Sequence, residues 1–186
     1  MERGEVRRDI LSQTFYKSTE RLKVRSFQDI DTNDFFLLLT NPLVNNFLGG
    51  SLFLSNPYLV KQFLRQMSLD YSELNPWLLY SIFNKNNHRL IGGCGIKTEL
   101  KNQKAEIFYL FFPSYWGQGL AVEACRPLLE NALNQFGLEK VYAHILPENI
   151  RAQRVAEKLG FKYFKMVNLN RYKKKRKVQQ WNLNLI

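Results

Sequence analysis

The chain has 186 residues, 45% apolar and 14% aromatic, which is one ordinary domain with enough apolar material for a packed core, so wholesale disorder is excluded. No apolar run reaches the ~18–20 residues that cross a bilayer, MERGEVRRDILSQTFYKSTE has no secretory apolar core, and Cys94 and Cys125 lie 31 apart without metal-ligand spacing, so the expectation is a cytoplasmic protein with two buried thiols, no membrane contact and no metal. The net charge of +11 is local, because residues 1–157 carry 18 Lys/Arg against all 16 Asp/Glu while 158–186 carry nine Lys/Arg and no acid.

Residues 1–18 are polar and mixed in charge and read as a loosely held lead-in to one domain over 19–186. ERLKVRSF alternates at Leu22, Val24 and Ser26 and predicts a first strand. DIDTNDFFLLLT sets capping residues before an apolar run and predicts a short helix. NPLVNNFLGG reads as a loop closing on two glycines, and NPYLVKQFLRQMSLDYSEL places Leu59, Phe63, Leu64 and Met67 at helical spacing. PWLLYSIFNKNNHRLIGGCGIK predicts a hairpin about an Asn-rich turn, and KAEIFYLFF a strand ended by Pro113. A helix follows from Gly119 to Phe136, with a kink expected at Pro127 and a stop at Gly137. KVYAHILPEN predicts a strand, and NIRAQRVAEKLG a helix capped by Asn149 and stopped by Gly160. FKYFKMVNL and KVQQWNLNLI predict a last hairpin. The order βαα-βββ-αβ-αββ predicts an α/β (α+β) fold, a mixed, mostly antiparallel sheet of about seven strands with four flanking helices.

The stretch SYWGQGLAVEACRPLLENAL puts Gly117 and Gly119 where a helix is about to start. Glycine weakens a helix start unless something uses the bare backbone, and a strand, glycine turn and helix hold phosphate through backbone N–H groups and the positive helix end. A Walker loop needs GxxxxGK[ST], which is missing, and a dinucleotide fingerprint needs a third glycine, which G-Q-G-L-A-V lacks. A diphosphate loop of an acetyl-coenzyme A enzyme and a tight turn with no ligand both stay open on the glycines alone.

Trp116-Gly117-Gln118-Gly119-Leu120-Ala121, then Glu123-Ala124, then PENIRAQRVAEKLGF from Pro147 to Phe161, together resemble the two signatures of the GNAT superfamily of N-acetyltransferases. TERLKVRSF and KAEIFYLFFPSYW are similar to its Rim-type (ribosomal-protein-alanine acetyltransferase-like, RimJ/RimL) branch, and the resemblance runs from Thr19 to Ile186. It implies acetyl-CoA as co-substrate in a V-shaped cleft between the fourth and fifth strands, here Ala105–Phe112 and Lys140–Leu146. It implies Tyr109, Leu110 and Phe111 as main-chain partners of the pantetheine arm, and Trp116, Gly117, Gln118, Gly119, Leu120 and Ala121 around the diphosphate. Asn149 is implied at the pantetheine, beside its plain reading as a helix cap. The reaction implied is direct attack of a neutral amine on the thioester in a ternary complex, with a strand N–H holding the oxyanion.

Rim-type enzymes often carry a Glu five residues before the Asn, and this chain has His144 there. An imidazole suits a base near neutral pH, and Glu106 on the preceding strand is the second candidate. The family's thiolate proton donors, a Tyr seven after the Asn or a Ser three after it, are replaced by Ala156 and Ala152. The turn LNRYKKKRKV carries Arg171 and Lys173 to Lys177, six cations in seven residues, and bordering the acceptor side it would favour an acidic protein or ribosomal RNA. The expected function is an N-acetyltransferase acting on a primary amine, either a peptide N-terminus or a small molecule. The alternative is a basic binding module on the same fold, docking to RNA or another polyanion with weak or no catalysis.

Overall fold

The computed structural model describes residues 16–48, 56–69, 77–171 and 174–184. The strands are β1 (Tyr16–Ser18), β2 (Leu22–Ser26), β3 (Trp77–Asn84), β4 (Leu90–Glu99), β5 (Lys104–Phe111), β6 (Lys140–Ile145), β7 (Lys162–Arg171) and β8 (Lys174–Asn184). The helices are α1 (Thr32–Thr40), α2 (Pro42–Leu48), α3 (Pro57–Leu69), α4 (Leu120–Phe136) and α5 (Ile150–Lys158). The strands form one sheet in the order β1-β2-β3-β4-β5-β6-β8-β7. Neighbours are antiparallel except β5 and β6, which run parallel and are joined by the crossover helix that such a pair requires, α4.

Strand parity divides the core. Ala105, Ile107, Tyr109 and Phe111 of β5, with Val141, Ala143 and Ile145 of β6, pack against Leu120, Ala124 and Leu128 of α4 and Ala156 of α5. Phe108 and Leu110 face the other way, into a cluster with Phe35 and Leu39 of α1 and Val60 and Leu64 of α3. Tyr142 and His144, the even-numbered residues of β6, therefore share a face with Glu106, Phe108 and Leu110. The glycines of β4 make this packing possible, since a Cβ on Gly95 would come within 2.2 Å of the Phe108 ring. Cys94 and Cys125 are free thiols buried between β4 and α4. The hydrogen bond that the Cys125 S–H makes to Cys94, reinforced by burial, pushes the Cys125 thiol well up, so it stays protonated.

The lower edge of α1 is tied to the sheet by one buried carboxylate. Arg25 of β2 grips Asp31 through two N–H bonds of 2.7 Å, while the Ser81 hydroxyl at 2.6 Å and the Gln28 backbone N–H at 2.9 Å donate to the same carboxylate. Removing it leaves a guanidinium, a hydroxyl and an amide short of their acceptor. Asp31→Ala is therefore expected to cost about 2–3 kcal/mol, read as a lower urea midpoint at unchanged slope.

Two elements depart from the sequence expectation. NPLVNNFLGG, read as a loop, holds α2 over Pro42–Leu48. Asn41 Oδ1 accepts from Leu43 N at 3.1 Å and caps the chain's entry, with Pro42 as first helical residue, so the asparagine and proline that read as loop residues start the helix. Within the expected lead-in, Tyr16–Ser18 pair with Arg25–Lys23 as an edge strand, which raises the count from seven strands to eight. Residues 1–15 lie outside the described residues.

Candidate functional site

The β5–β6 ladder has only three rungs, Lys104↔Lys140, Ala105↔Val141 and Glu106↔Tyr142. Beyond Glu106 the two strands separate, although β5 keeps its pairing to β4 as far as Phe111 and β6 keeps its pairing to β8 as far as Ile145. A wedge thus opens inside a continuous sheet, and the edge of β5 from Ile107 to Phe111 faces it without a strand partner. A cleft of about 330 Å³ lies at the wedge.

Gly117 and Gly119 end the wedge at its open side with φ of +76° and +77°, a backbone region that residues with a Cβ enter only at a cost of about 1–2 kcal/mol. These two angles fold the chain from β5 into α4. Gly119 is the residue before the first turn, its carbonyl accepting from Glu123 N at 3.1 Å. The N–H groups of Leu120, Ala121 and Val122 consequently have no helical acceptor. All three residues line the cleft, as do Gly117 and Gly119.

Most of the sequence-named binding residues gather here. Tyr109, Leu110, Phe111, Trp116, Gly117, Gly119, Leu120, Ala121 and Asn149 all line the cleft. Gln118 does not; its side chain turns back to donate to Ser114 O at 2.9 Å. The Phe111 carbonyl, one of the three expected main-chain partners, already accepts from Trp116 Nε1 at 2.8 Å. Asn149 Oδ1 accepts from Ala152 N at 3.1 Å, so the side chain caps α5 through its oxygen, and the residue lines the cleft with its NH₂ outside that cap bond. The Tyr109 hydroxyl donates to Ala152 O at 2.9 Å and pins β5 to α5 at the cleft floor. Burial, with a smaller contribution from Cys125, pushes this phenol above its usual range, so it remains a donor.

Three cations went unnamed in the sequence reading. Arg151, Arg154 and Lys158 of α5 line the cleft at positions i, i+3 and i+7, one helix face. That spacing was the available signal. Val44, Phe47 and Leu48 of α2 form an apolar wall. The Trp116 ring stands between Phe47, at 6.4 Å, and the Arg151 guanidinium, at 5.2 Å.

His144 and Glu106 share the sheet face of Phe108 and Leu110, lie outside the cleft lining and touch each other, Nδ1 to Oε1 at 3.0 Å. The sequence offered them as competing bases; the structure makes them a pair. An ionised carboxylate only accepts, so against one the shared proton sits on Nδ1, and in that tautomer of the neutral ring Nε2 carries the lone pair. Glu106 is 6% exposed, and the Tyr142 ring packs edge-on against the imidazole at 5.1 Å while its hydroxyl donates to Glu99 at 2.5 Å. Among the described residues, no three His, Cys, Asp or Glu side chains gather to hold a metal ion, and no helix is long and apolar enough to cross a membrane. Of the basic hairpin, Lys175 and Lys177 are exposed and Arg176 is half-buried, while Lys173 lies outside the described residues.

A family model described as "Acetyltransferase (GNAT) domain" matches residues 21–162. The uncharacterized protein YkkB of Bacillus subtilis (strain 168) is 30% identical over 154 residues, covering 80% of this chain and 86% of that protein. Among solved structures, RimL, a ribosomal L7/L12 alpha-N-protein acetyltransferase in complex with coenzyme A, superposes with a TM-score of 0.79 at 16% identity, covering 92% of this chain and 98% of that one. A spermidine N-acetyltransferase from Vibrio cholerae, in complex with CoA and spermine, superposes with a TM-score of 0.73 at 17% identity over 88% and 95% of the two chains.

Proposed function

This chain belongs to the GNAT acetyltransferase family, and on that premise we propose that it moves an acetyl group from acetyl-CoA to a primary amine, with the donor held in the wedge and the acceptor beside the His144–Glu106 pair. The observation that carries this reading is the ladder that stops after three rungs beside a glycine turn leading into N–H groups with no helical acceptor. The residues present suit the coenzyme. A diphosphate needs anion donors with no side chain in the way, which Gly117, Gly119 and the first turn of α4 supply. Phosphates need cations, which Arg151, Arg154 and Lys158 supply. A pantetheine amide needs a strand edge and an amide donor, which β5 and Asn149 supply.

The acetyl thioester supplies an activated acyl carbon. His144 takes the proton of the incoming ammonium through Nε2, and Glu106 holds the imidazole in that tautomer and stabilises its charged form. An N–H of β5 facing the wedge holds the oxygen on which charge develops. With alanine at 152 and 156, water serves the departing thiolate, a tolerable leaving group at a pKa of about 8.5. Because neither His144 nor Glu106 is among the residues that line the cleft, donor and acceptor need not displace one another, and direct transfer requires no acyl-enzyme.

The Rim-type branch is part of the proposal, and the fold does not select the acceptor. RimL and the spermidine enzyme act on a protein N-terminus and a polyamine by their names, and both superpose on this chain. An α-amine, with pKa about 8 against about 10.4 for lysine, asks less of a single imidazole, which supports a peptide N-terminus. The test is thermal denaturation with and without acetyl-CoA at about 100 Kd, followed by thiol release with N-terminal peptides and polyamines. A rise in melting temperature of about 5–10 °C is expected. No shift with acetyl-CoA but a shift with RNA would replace the enzyme by the polyanion-binding alternative.

A further inference from the structure

The glycine turn is held from behind by a residue distant in sequence. Arg21, just ahead of β2, donates from Nη1 to the Gln118 carbonyl at 2.9 Å. Its Nε donates to Glu123 Oε2 at 2.7 Å, and Nη2 lies 2.7 Å from the same oxygen. The other carboxylate oxygen of Glu123 accepts from Arg21 N at 2.8 Å and from the Thr19 hydroxyl at 2.5 Å. Arg21 is anchored in turn, because its own carbonyl accepts from Lys85 N at 2.9 Å in the β3–β4 turn. Burial pushes the Glu123 carboxyl up, but the bonds from Thr19 and Arg21 outweigh it and hold it below its usual range, so the cluster stays charged.

The consequence lies in one peptide plane. No cis peptide occurs among the described residues, so the Gln118 C=O and the Gly119 N–H point in opposite directions. With the carbonyl drawn towards Arg21, the Gly119 N–H is turned away from it. Gly119 lines the cleft, whereas Gln118, whose carbonyl Arg21 holds, does not, so a Gly119 N–H turned away from Arg21 is free to serve the cleft. A peptide that leads into a glycine of positive φ has no glycine side chain to fix its plane, and a flipped plane would aim a carbonyl at the anion site. Glu123 by itself is unfavourable there, a carboxylate one turn from the diphosphate, and the guanidinium neutralises it.

We propose that Arg21, braced by Glu123, is a positioning residue for the donor, turning the Gln118–Gly119 peptide so that the Gly119 N–H faces the diphosphate. The inference rests on the acetyl-CoA reading above. Arg21 touches no ligand in this role and acts through the peptide. Its side chain is 45% exposed and outside the core, so its loss leaves the packing of the sheet and α4 in place.

The experiment compares acetyl-CoA with S-acetylpantetheine, the same thioester without its diphosphate, in the wild type, Arg21→Ala and Arg21→Lys. Arg21→Ala is expected to raise the KM for acetyl-CoA roughly tenfold, as for the loss of a charge-assisted contact, with kcat within twofold and with kcat/KM for S-acetylpantetheine unchanged. Arg21→Lys is expected to fail as a rescue, because one ammonium lacks the fork that reaches Glu123 and Gln118 together. An unchanged KM for acetyl-CoA, equal losses on both donors, or full rescue by lysine would each overturn the proposal. A wild type that does not distinguish the two donors would overturn the diphosphate reading itself, and the proposal with it.

Discussion

Gly119→Trp abolishes the thermal shift given by acetyl-CoA and lowers kcat/KM by at least about 100-fold, the loss of two charge-assisted bonds to the diphosphate. Two effects add. Tryptophan at a φ of +77° is strained, so the turn relaxes and its N–H groups lose their common aim. The indole also occupies the approach to the first turn of α4, where Leu120 and Ala121 line the cleft. Nothing but Arg21 Nη2, at 3.7 Å, lies near a Cβ added at this position, so the variant has room to fold and the loss is one of binding. Retention of a wild-type shift would mean that the diphosphate sits elsewhere, and the assignment of the wedge would fall. The polyanion-binding alternative makes the opposite prediction: RNA affinity unaffected here and lost on neutralising Lys173 to Lys177.

His144→Ala is the second large effect, expected to lower kcat by about 10²–10³, the usual contribution of a general base. The KM for acetyl-CoA should not change, because His144 is not among the residues that line the cleft. Glu106→Gln should approach the same loss while preserving shape. The Gln amide can donate to Nδ1, which drives the imidazole proton to Nε2 and removes the lone pair that the amine requires. Raising the pH above the acceptor's own pKa supplies neutral amine without help, so both variants should recover near pH 9 with α-amine acceptors and much less with lysine ones. A kcat within twofold of wild type in both variants would remove the pair from the mechanism.

Much of this was readable in the chain because the signals are local. Alternation in KAEIFYLFF and KVYAHIL gave the two strands of the wedge, and Gly117 and Gly119 marked the turn by a backbone requirement no other residue meets well. Asn149 announced a helix start for the ordinary reason that its oxygen caps one. What escaped is what depends on distance. Arg21 and Glu123 are separated by 102 positions, and nothing in either neighbourhood names the other. His144 and Glu106 were legible as two candidates but not as a pair, since their contact follows from the register of a parallel ladder, Glu106 opposite Tyr142, which strand patterns do not specify. Helix α2 escaped for a different reason: seven residues containing a proline and two asparagines carry little helical propensity, and their packing decides the matter.

The strand order carries a consequence for how the molecule is made. β8 follows β7 in the chain but lies between β7 and β6. During synthesis, β6 emerges with three rungs to β5 and an otherwise bare outer edge, and its remaining neighbour is not available until residues 174–184 have left the ribosome. One wall of the cleft is therefore finished late, after the first five strands, α4 and α5 have all had time to assemble. A nascent chain halted before β8 would own every residue of the glycine turn and still lack a rigid partner for it.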